Sequence, residues 1–242
     1  MTLIQSLILA VVQGVSEFLP ISSSGHLNLA QHFFNLTPSL TFDIFLNTAT
    51  LLSVLVFFRS NIKFFFANLK QIIIGSIPAA IIGLLFKDQI ETIFADITLL
   101  PLFFMITAAF VFCTQYFKHK SEKISYQQAV VIGLFQMLAI LPGVSRSGST
   151  IFAALLMGLS PATAFNFSFA LFIPASLGAL ALGLKDIVGQ NLFTLNNILA
   201  FIYTFVVGLI SLTLLRRLLV NHKLWLFGIY SLLLASSLLF VL

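Results

Sequence analysis

The chain has 242 residues, 60% of them hydrophobic and 8% charged, with a mean hydropathy of +1.10. Soluble domains carry about 25% charged residues, so the composition excludes a soluble globular protein and predicts a single all-α polytopic membrane domain over residues 1–242. The net charge of +5 sits in short loops between apolar runs, a membrane-topology signal that excludes nucleic acid as a partner. The lone Cys113 excludes an internal disulfide, and the 28 phenylalanines read as lipid-facing surface.

In chain order, residues 2–35 are apolar but broken by "LPISSSG". They hold no basic n-region, because the first Lys or Arg is Arg59, so they are expected to remain in the mature protein rather than leave as a signal peptide. Three predicted spans follow, at 41–58, 69–86 and 97–117. Residues 126–158 are again apolar and broken, here by "LPGVSRSG", and precede spans at 162–183, 197–216 and 224–242. A spanning helix needs about 20 apolar residues, and each half of a broken region is too short. Non-helical backbone at membrane depth survives only where protein buries it or a wet cavity lines it. Both broken regions therefore read as re-entrant helical hairpins, with a kinked span or a surface helix pair as the alternative.

The two breaks resemble each other. "QGVSEFLPISSSG" (13–25) and "QMLAILPGVSRSG" (136–148) share a Gln, an LP step and an S-x-S-G turn, with one residue of slip. Three spans after each hairpin turn the second copy upside down. This predicts an inverted-topology repeat, with one copy at about 1–120 and the other at about 125–242. Loops on one side carry Arg59, Lys63, Lys70, Lys118, Lys120, Lys123, Arg216, Arg217 and Lys223. The other side has Lys87 and Lys185 among Asp88, Glu91, Asp96 and Asp186. The first side is then cytoplasmic.

Few ionisable groups fall inside the apolar regions: Glu17, Asp43 and Arg146, with His26 in the first break. Gln13 and Glu17, spaced i, i+4, share a helix face. Ser22, Ser23 and Ser24 precede a helix expected to start near Gly25, with His26 in its first turn. Ser145 and Ser147 stand similarly before the helix that carries Thr150. Helix N-termini with free N–H groups bind anions, phosphate above all, and Arg146 adds a planar fork of donors for phosphate oxygens. Glu17 with Gln13 suits a divalent cation against the same phosphates. Simpler readings stand beside these: serines as helix caps, and a structural Glu17–Arg146 pair. Asp43 and Asn47 either support the site or make a polar helix contact.

"QGVSEFLPISSSGH" and "LPGVSRSGST", with "MGLSPATAFNFSFALFIPASLGA", resemble the undecaprenyl-diphosphatase family, the bacitracin-resistance membrane phosphatases, across essentially the whole chain. The resemblance implies hydrolysis of undecaprenyl diphosphate to undecaprenyl phosphate and inorganic phosphate at the outer face of the bacterial plasma membrane. This recycles a lipid carrier for cell-wall synthesis. It places the acidic motif on Gln13 and Glu17, the SS-x-GH element on Ser23 and His26, and the third motif on Ser145, Arg146, Ser147 and Thr150. Two departures are Gln13, where a carboxylate is the other permitted choice, and Asn166, where many members carry an acid. The implied machinery is a Mg²⁺ or Ca²⁺ ion on Glu17, with Arg146 neutralising charge. The nucleophile is Ser23, with His26 as base or phosphate ligand, or else water activated by His26. The rival reading is a transporter or flippase of polyprenyl phosphates, which needs anion donors but no carboxylate and nucleophile beside them. The chain is compatible with a homo-oligomer.

Overall fold

The computed structural model describes residues 1–36, 40–117, 121–188 and 194–241; Lys118 and Lys120 of the predicted cytoplasmic loop lie outside them. Twelve α-helices order the described residues. They are α1 (Leu3–Ser16), α2 (Ser23–Phe33), α3 (Leu40–Phe57), α4 (Ile62–Ala67), α5 (Leu69–Leu85), α6 (Lys87–Ala95), α7 (Leu100–Cys113), α8 (Tyr126–Leu138), α9 (Arg146–Leu156), α10 (Pro161–Val188), α11 (Leu195–Val220) and α12 (Trp225–Val241).

Among the described residues, length and composition make three segments able to cross a bilayer alone: Ile97–Tyr116 around α7, Pro161–Gly183 of α10, and α11. The number rises to five if each bent pair counts as one span, α3 with the following Arg59–Ala67 segment at 56° and α5 with α6 at 84°. At 14 and 17 residues, α1 and α12 are apolar but shorter. The protein is thus a multi-pass, all-α membrane protein. The two predicted breaks are where the sequence placed them, between α1 and α2 and between α8 and α9.

Local chemistry repeats in the two halves. Helix α1 opens on a capping box in which Thr2 accepts from the Gln5 N–H and the Gln5 side chain answers the Thr2 N–H at 2.9 Å. Helix α8 opens on the same device, with Ser125 and Gln128 at 2.8 Å. Packing repeats too. Helix α1 lies on α11 and α8 on α5; α3 meets α11 and α10 meets α5; α7 packs on α12, and α3 on α10. Small residues permit the closest of these approaches. A Cβ on Gly133 of α8 would sit 2.9 Å from the Gly75 Cα of α5, a distance no side chain tolerates.

The phenylalanines are distributed otherwise than composition suggested. Phe18, Phe104, Phe165, Phe167 and Phe169 are fully buried. Phe18, Phe169 and Phe172 pack edge to face, and Phe58 and Phe165 extend the cluster. Lipid solvates a leucine as readily as a phenylalanine, so apolarity alone could not say which rings face inward. These rings form the floor beneath the site.

Candidate active site

The six residues that separate α1 from α2 and the seven that separate α8 from α9 bring the two tips into contact. Ser22 adopts φ +71°, uncommon for a residue with a Cβ, and its hydroxyl accepts the Gly143 N–H of the other tip at 3.1 Å. Gly143 has φ +93°. A Cβ on Gly25 would meet the Phe104 ring at 2.6 Å and the Gly143 Cα at 3.0 Å. The tips therefore touch through backbone.

Glu17, at the C-terminal end of α1, organises the centre. Its Oε2 accepts from Gln13 Nε2 at 3.0 Å and from Ser23 Oγ at 2.6 Å. Its Oε1 accepts from Arg146 Nη2 at 3.0 Å, and its side chain is 9% exposed. The guanidinium of Arg146 lies 4.0 Å from the Phe172 ring centroid and 5.6 Å from that of Phe169, a cation–π seat. Its Nη1 has no partner among the described residues. So the structural pairing of Glu17 and Arg146 is present, and it leaves one nitrogen of the fork unused. An Arg146→Lys protein keeps the charge but loses the planar fork. We expect it to lose most phosphate release in a colorimetric assay; near-wild-type turnover would reduce Arg146 to a point charge.

Helix α2 starts at Ser23, earlier than expected, which puts Ser23 and Ser24 in its first turn. No side chain caps it, so its first N–H groups remain available to an anion. The other tip differs: Ser145 caps α9 by accepting the Gly148 N–H at 3.1 Å. Ser147 and Thr150 are buried, and Thr150 Oγ1 lies 2.6 Å from Ser168 Oγ of α10. They hold α9 in place and do not line the cavity, and neither does Gln13.

A cavity of about 290 Å³ opens over this centre. Its polar wall includes Glu17, Ser22, Ser23, Ser24, Ser145 and Arg146, with Asn47 from α3. Its apolar wall includes Phe94, Ile140, Phe172, Ala175 and Ala179. Asp43 takes another role, accepting from Gln31 Nε2 at 2.8 Å and so tying α3 to α2. His26 is not brought to Ser23. Its Nδ1 lies 2.7 Å from the Ser22 carbonyl oxygen and its Nε2 2.7 Å from the Tyr230 hydroxyl.

Three residues escaped the sequence reading: Thr107, Phe172 and Tyr230. Thr107 Oγ1 donates to the Gly143 carbonyl at 2.7 Å and accepts the Ser145 N–H at 2.8 Å, clamping the second tip. A threonine inside an apolar helix gives no sign of this, because both partners are more than 30 residues away. Thr107→Val keeps the shape and strands two buried backbone groups. We expect a loss of about 1–3 kcal/mol per stranded group, read as a lower melting temperature in detergent.

For a divalent cation the donor set is sparse. Among the described residues no three His, Cys, Asp or Glu converge on one point. Glu17 already accepts three hydrogen bonds of the roughly four a carboxylate can take. One remaining acceptor position on Glu17, a residue that lines the cavity, fits the mode in which a single carboxylate, substrate phosphates and water share the ion.

Comparison with known proteins gives the family. The family model described as bacitracin resistance protein BacA matches residues 6–237. An undecaprenyl-diphosphatase of Thermosipho africanus is 40% identical over 248 residues, covering 97% of this chain and 98% of its own. An undecaprenyl-diphosphatase of Methanococcus maripaludis is 36% identical, over 93% and 95% of the two chains. An undecaprenyl-diphosphatase 2 of Bacillus thuringiensis is 37% identical, over 94% and 93%. With its two tip motifs joined in one cavity and its length matched from end to end, this chain belongs to the BacA family of bacitracin resistance proteins.

Proposed function

We propose that this protein hydrolyses undecaprenyl diphosphate to undecaprenyl phosphate and inorganic phosphate, recycling the lipid carrier of wall synthesis. The carrying observation is the Ser23 hydroxyl donating at 2.6 Å to a carboxylate that Arg146 holds from its other oxygen. The terminal phosphate sits between the free N–H groups of α2 and the Arg146 guanidinium. The first isoprene units lie against the apolar wall of Phe94, Ile140 and Ala179.

Ser23 Oγ attacks the terminal phosphorus in line with the bridging oxygen. The new bond is Ser23 Oγ–P, the bond that breaks joins the terminal phosphorus to the bridging oxygen, and the hydroxyl proton passes to Glu17. Undecaprenyl phosphate departs with the bond's electron pair. Water then attacks the phosphorus of the phosphoserine. The Ser23 Oγ–P bond breaks, Glu17 returns its proton to Ser23 Oγ, and the water's own protons leave on inorganic phosphate, so Glu17 is a carboxylate again. Arg146 meets charge on the equatorial oxygens, where a preorganised donor acts most strongly. A bound Mg²⁺ or Ca²⁺, sharing Glu17 with the substrate oxygens, would supply further charge neutralisation.

The architecture we propose is six spans plus two re-entrant hairpins in an inverted repeat. The matched capping boxes and the exchanged pairings α1–α11 and α8–α5 support it. The cavity takes Phe94 from α6, next to the acid-rich loops, which supports an active site open to the outer side of the bacterial plasma membrane. Lys63→Cys is then expected to resist an impermeant thiol reagent in intact cells, while Asp88→Cys reacts. Labelling at position 63 reverses the orientation.

The test of the activity itself is phosphate release by purified protein in detergent. A carrier has no two sides there and releases nothing, whereas the phosphatase turns over, stops with a chelator and restarts with Mg²⁺ or Ca²⁺. Well-folded protein that releases no phosphate with any cation overturns the hydrolase.

A further inference from the structure

We propose that Tyr230, on the last helix, is a positioning residue for the reacting serine, acting through His26 and the Ser22 backbone; this rests on the phosphatase reading above. Neither Tyr230 nor His26 lines the cavity, so neither touches the diphosphate. Their hydrogen bonds nevertheless lead to the residue before Ser23.

A carbonyl oxygen can only accept, so the 2.7 Å contact from His26 Nδ1 to Ser22 O puts a proton on Nδ1. In the neutral ring Nε2 is then an acceptor, and the Tyr230 hydroxyl at 2.7 Å donates to it. The two rings lie nearly parallel, 14° apart, and the Phe104 ring meets His26 edge-on, 5.3 Å away between centroids. The imidazole is thus held in one orientation and one tautomer.

That orientation matters because Ser22 is strained. Its φ of +71° and ψ of +107° lie outside the common regions for a residue with a Cβ, and such conformations persist only when their surroundings over-determine them. Three contacts do so here: the Ser22 hydroxyl accepts from Gly143 N, and the Ser22 carbonyl accepts from the His26 ring at 2.7 Å and, more weakly, from the His26 backbone N–H at 3.3 Å. The bend at Ser22 starts α2 at Ser23 and aims that hydroxyl at Glu17. Loosening the carbonyl contact lets Ser22 relax toward ordinary backbone and carries Ser23 Oγ away from Oε2. Histidine here orients the nucleophile, and Glu17 takes its proton.

Tyr230→Phe keeps the ring against His26 and deletes the hydroxyl, so the fold should be retained. The expected result is a fall of about tenfold in kcat, the loss of one hydrogen bond's worth of alignment, with KM unchanged. His26→Ala should lose at least as much, and the double variant no more than His26→Ala alone, because the hydroxyl works only through the imidazole. Wild-type kcat in Tyr230→Phe, or losses that multiply in the double variant, overturn the proposal. Nitrogen-15 NMR of the histidine rings gives a readout independent of turnover. It should show His26 protonated on Nδ1, with an Nε2 resonance that moves in Tyr230→Phe; a ring protonated on Nε2 alone overturns the proposal. A wild-type protein that releases no phosphate removes the phosphatase reading and leaves that tautomer result standing.

Discussion

Glu17→Gln is expected to lower kcat for undecaprenyl diphosphate by a hundred-fold or more, the scale seen when a preorganised transition-state contact is removed. The amide has nearly the shape of the carboxylate but fails in two ways. It cannot take the Ser23 proton, and it leaves the Arg146 guanidinium, 15% exposed on its side chain, without its anion. Breaking a buried pair from one side costs about 3–5 kcal/mol, so the melting temperature should fall as well. Steady-state phosphate release and thermal unfolding in the same detergent separate the two effects. If Glu17→Gln melts lower but turns over at near the wild-type rate, Glu17 is a structural partner of Arg146 and another group removes the serine proton.

Ser23→Ala is expected to lose more activity, on the order of 10⁶-fold, as when a covalent serine nucleophile is deleted. Its folded-state cost should be small. Ser23 is half-buried at the cavity wall, and its one hydrogen bond is to a carboxylate that keeps two other donors. Rapid acid quench with terminally labelled substrate should trap label on wild-type protein and none on Ser23→Ala. A variant only a few-fold slower would give the attack to water and leave Ser23 as a phosphate ligand.

Both expectations involve contacts between residues far apart in the chain, and the sequence showed the partners without the contacts. Glu17 and Arg146 are 129 residues apart. Each stood out because a charge in an apolar stretch is costly and has to be accounted for. An inverted repeat brings the two turns to one set of phosphates, but no spacing in the chain gives the distance between them. The 3.0 Å pair shows one centre.

His26 shows where spacing misleads. Three residues beyond Ser23 on a helix, it lies on nearly the same face and so reads as its base. Once α2 begins at Ser23, however, the first turn offers the imidazole the Ser22 carbonyl, and α12 offers it Tyr230. Those two partners fill both nitrogens. Ser145 and Ser22 tell a similar story. Both read as serines before a helix, yet Ser145 caps its own helix while the Ser22 hydroxyl turns to the opposite tip.

What the sequence determined by itself was whatever depends on neighbouring residues: apolar runs long enough for helices, Pro-Gly-Ser breaks that end them, and the motif pair that identifies the family. Hydrogen bonds within a turn and solvation by lipid set these locally. What the tertiary structure decided was which rings lie beneath Arg146, which carboxylate oxygen Ser23 donates to, how Thr107 clamps the second tip, and which way His26 faces. In each case several partners were chemically acceptable. The choice among them came from backbone approach, chiefly the contact of Ser22 and Gly25 with Gly143, which no local pattern in the chain encodes.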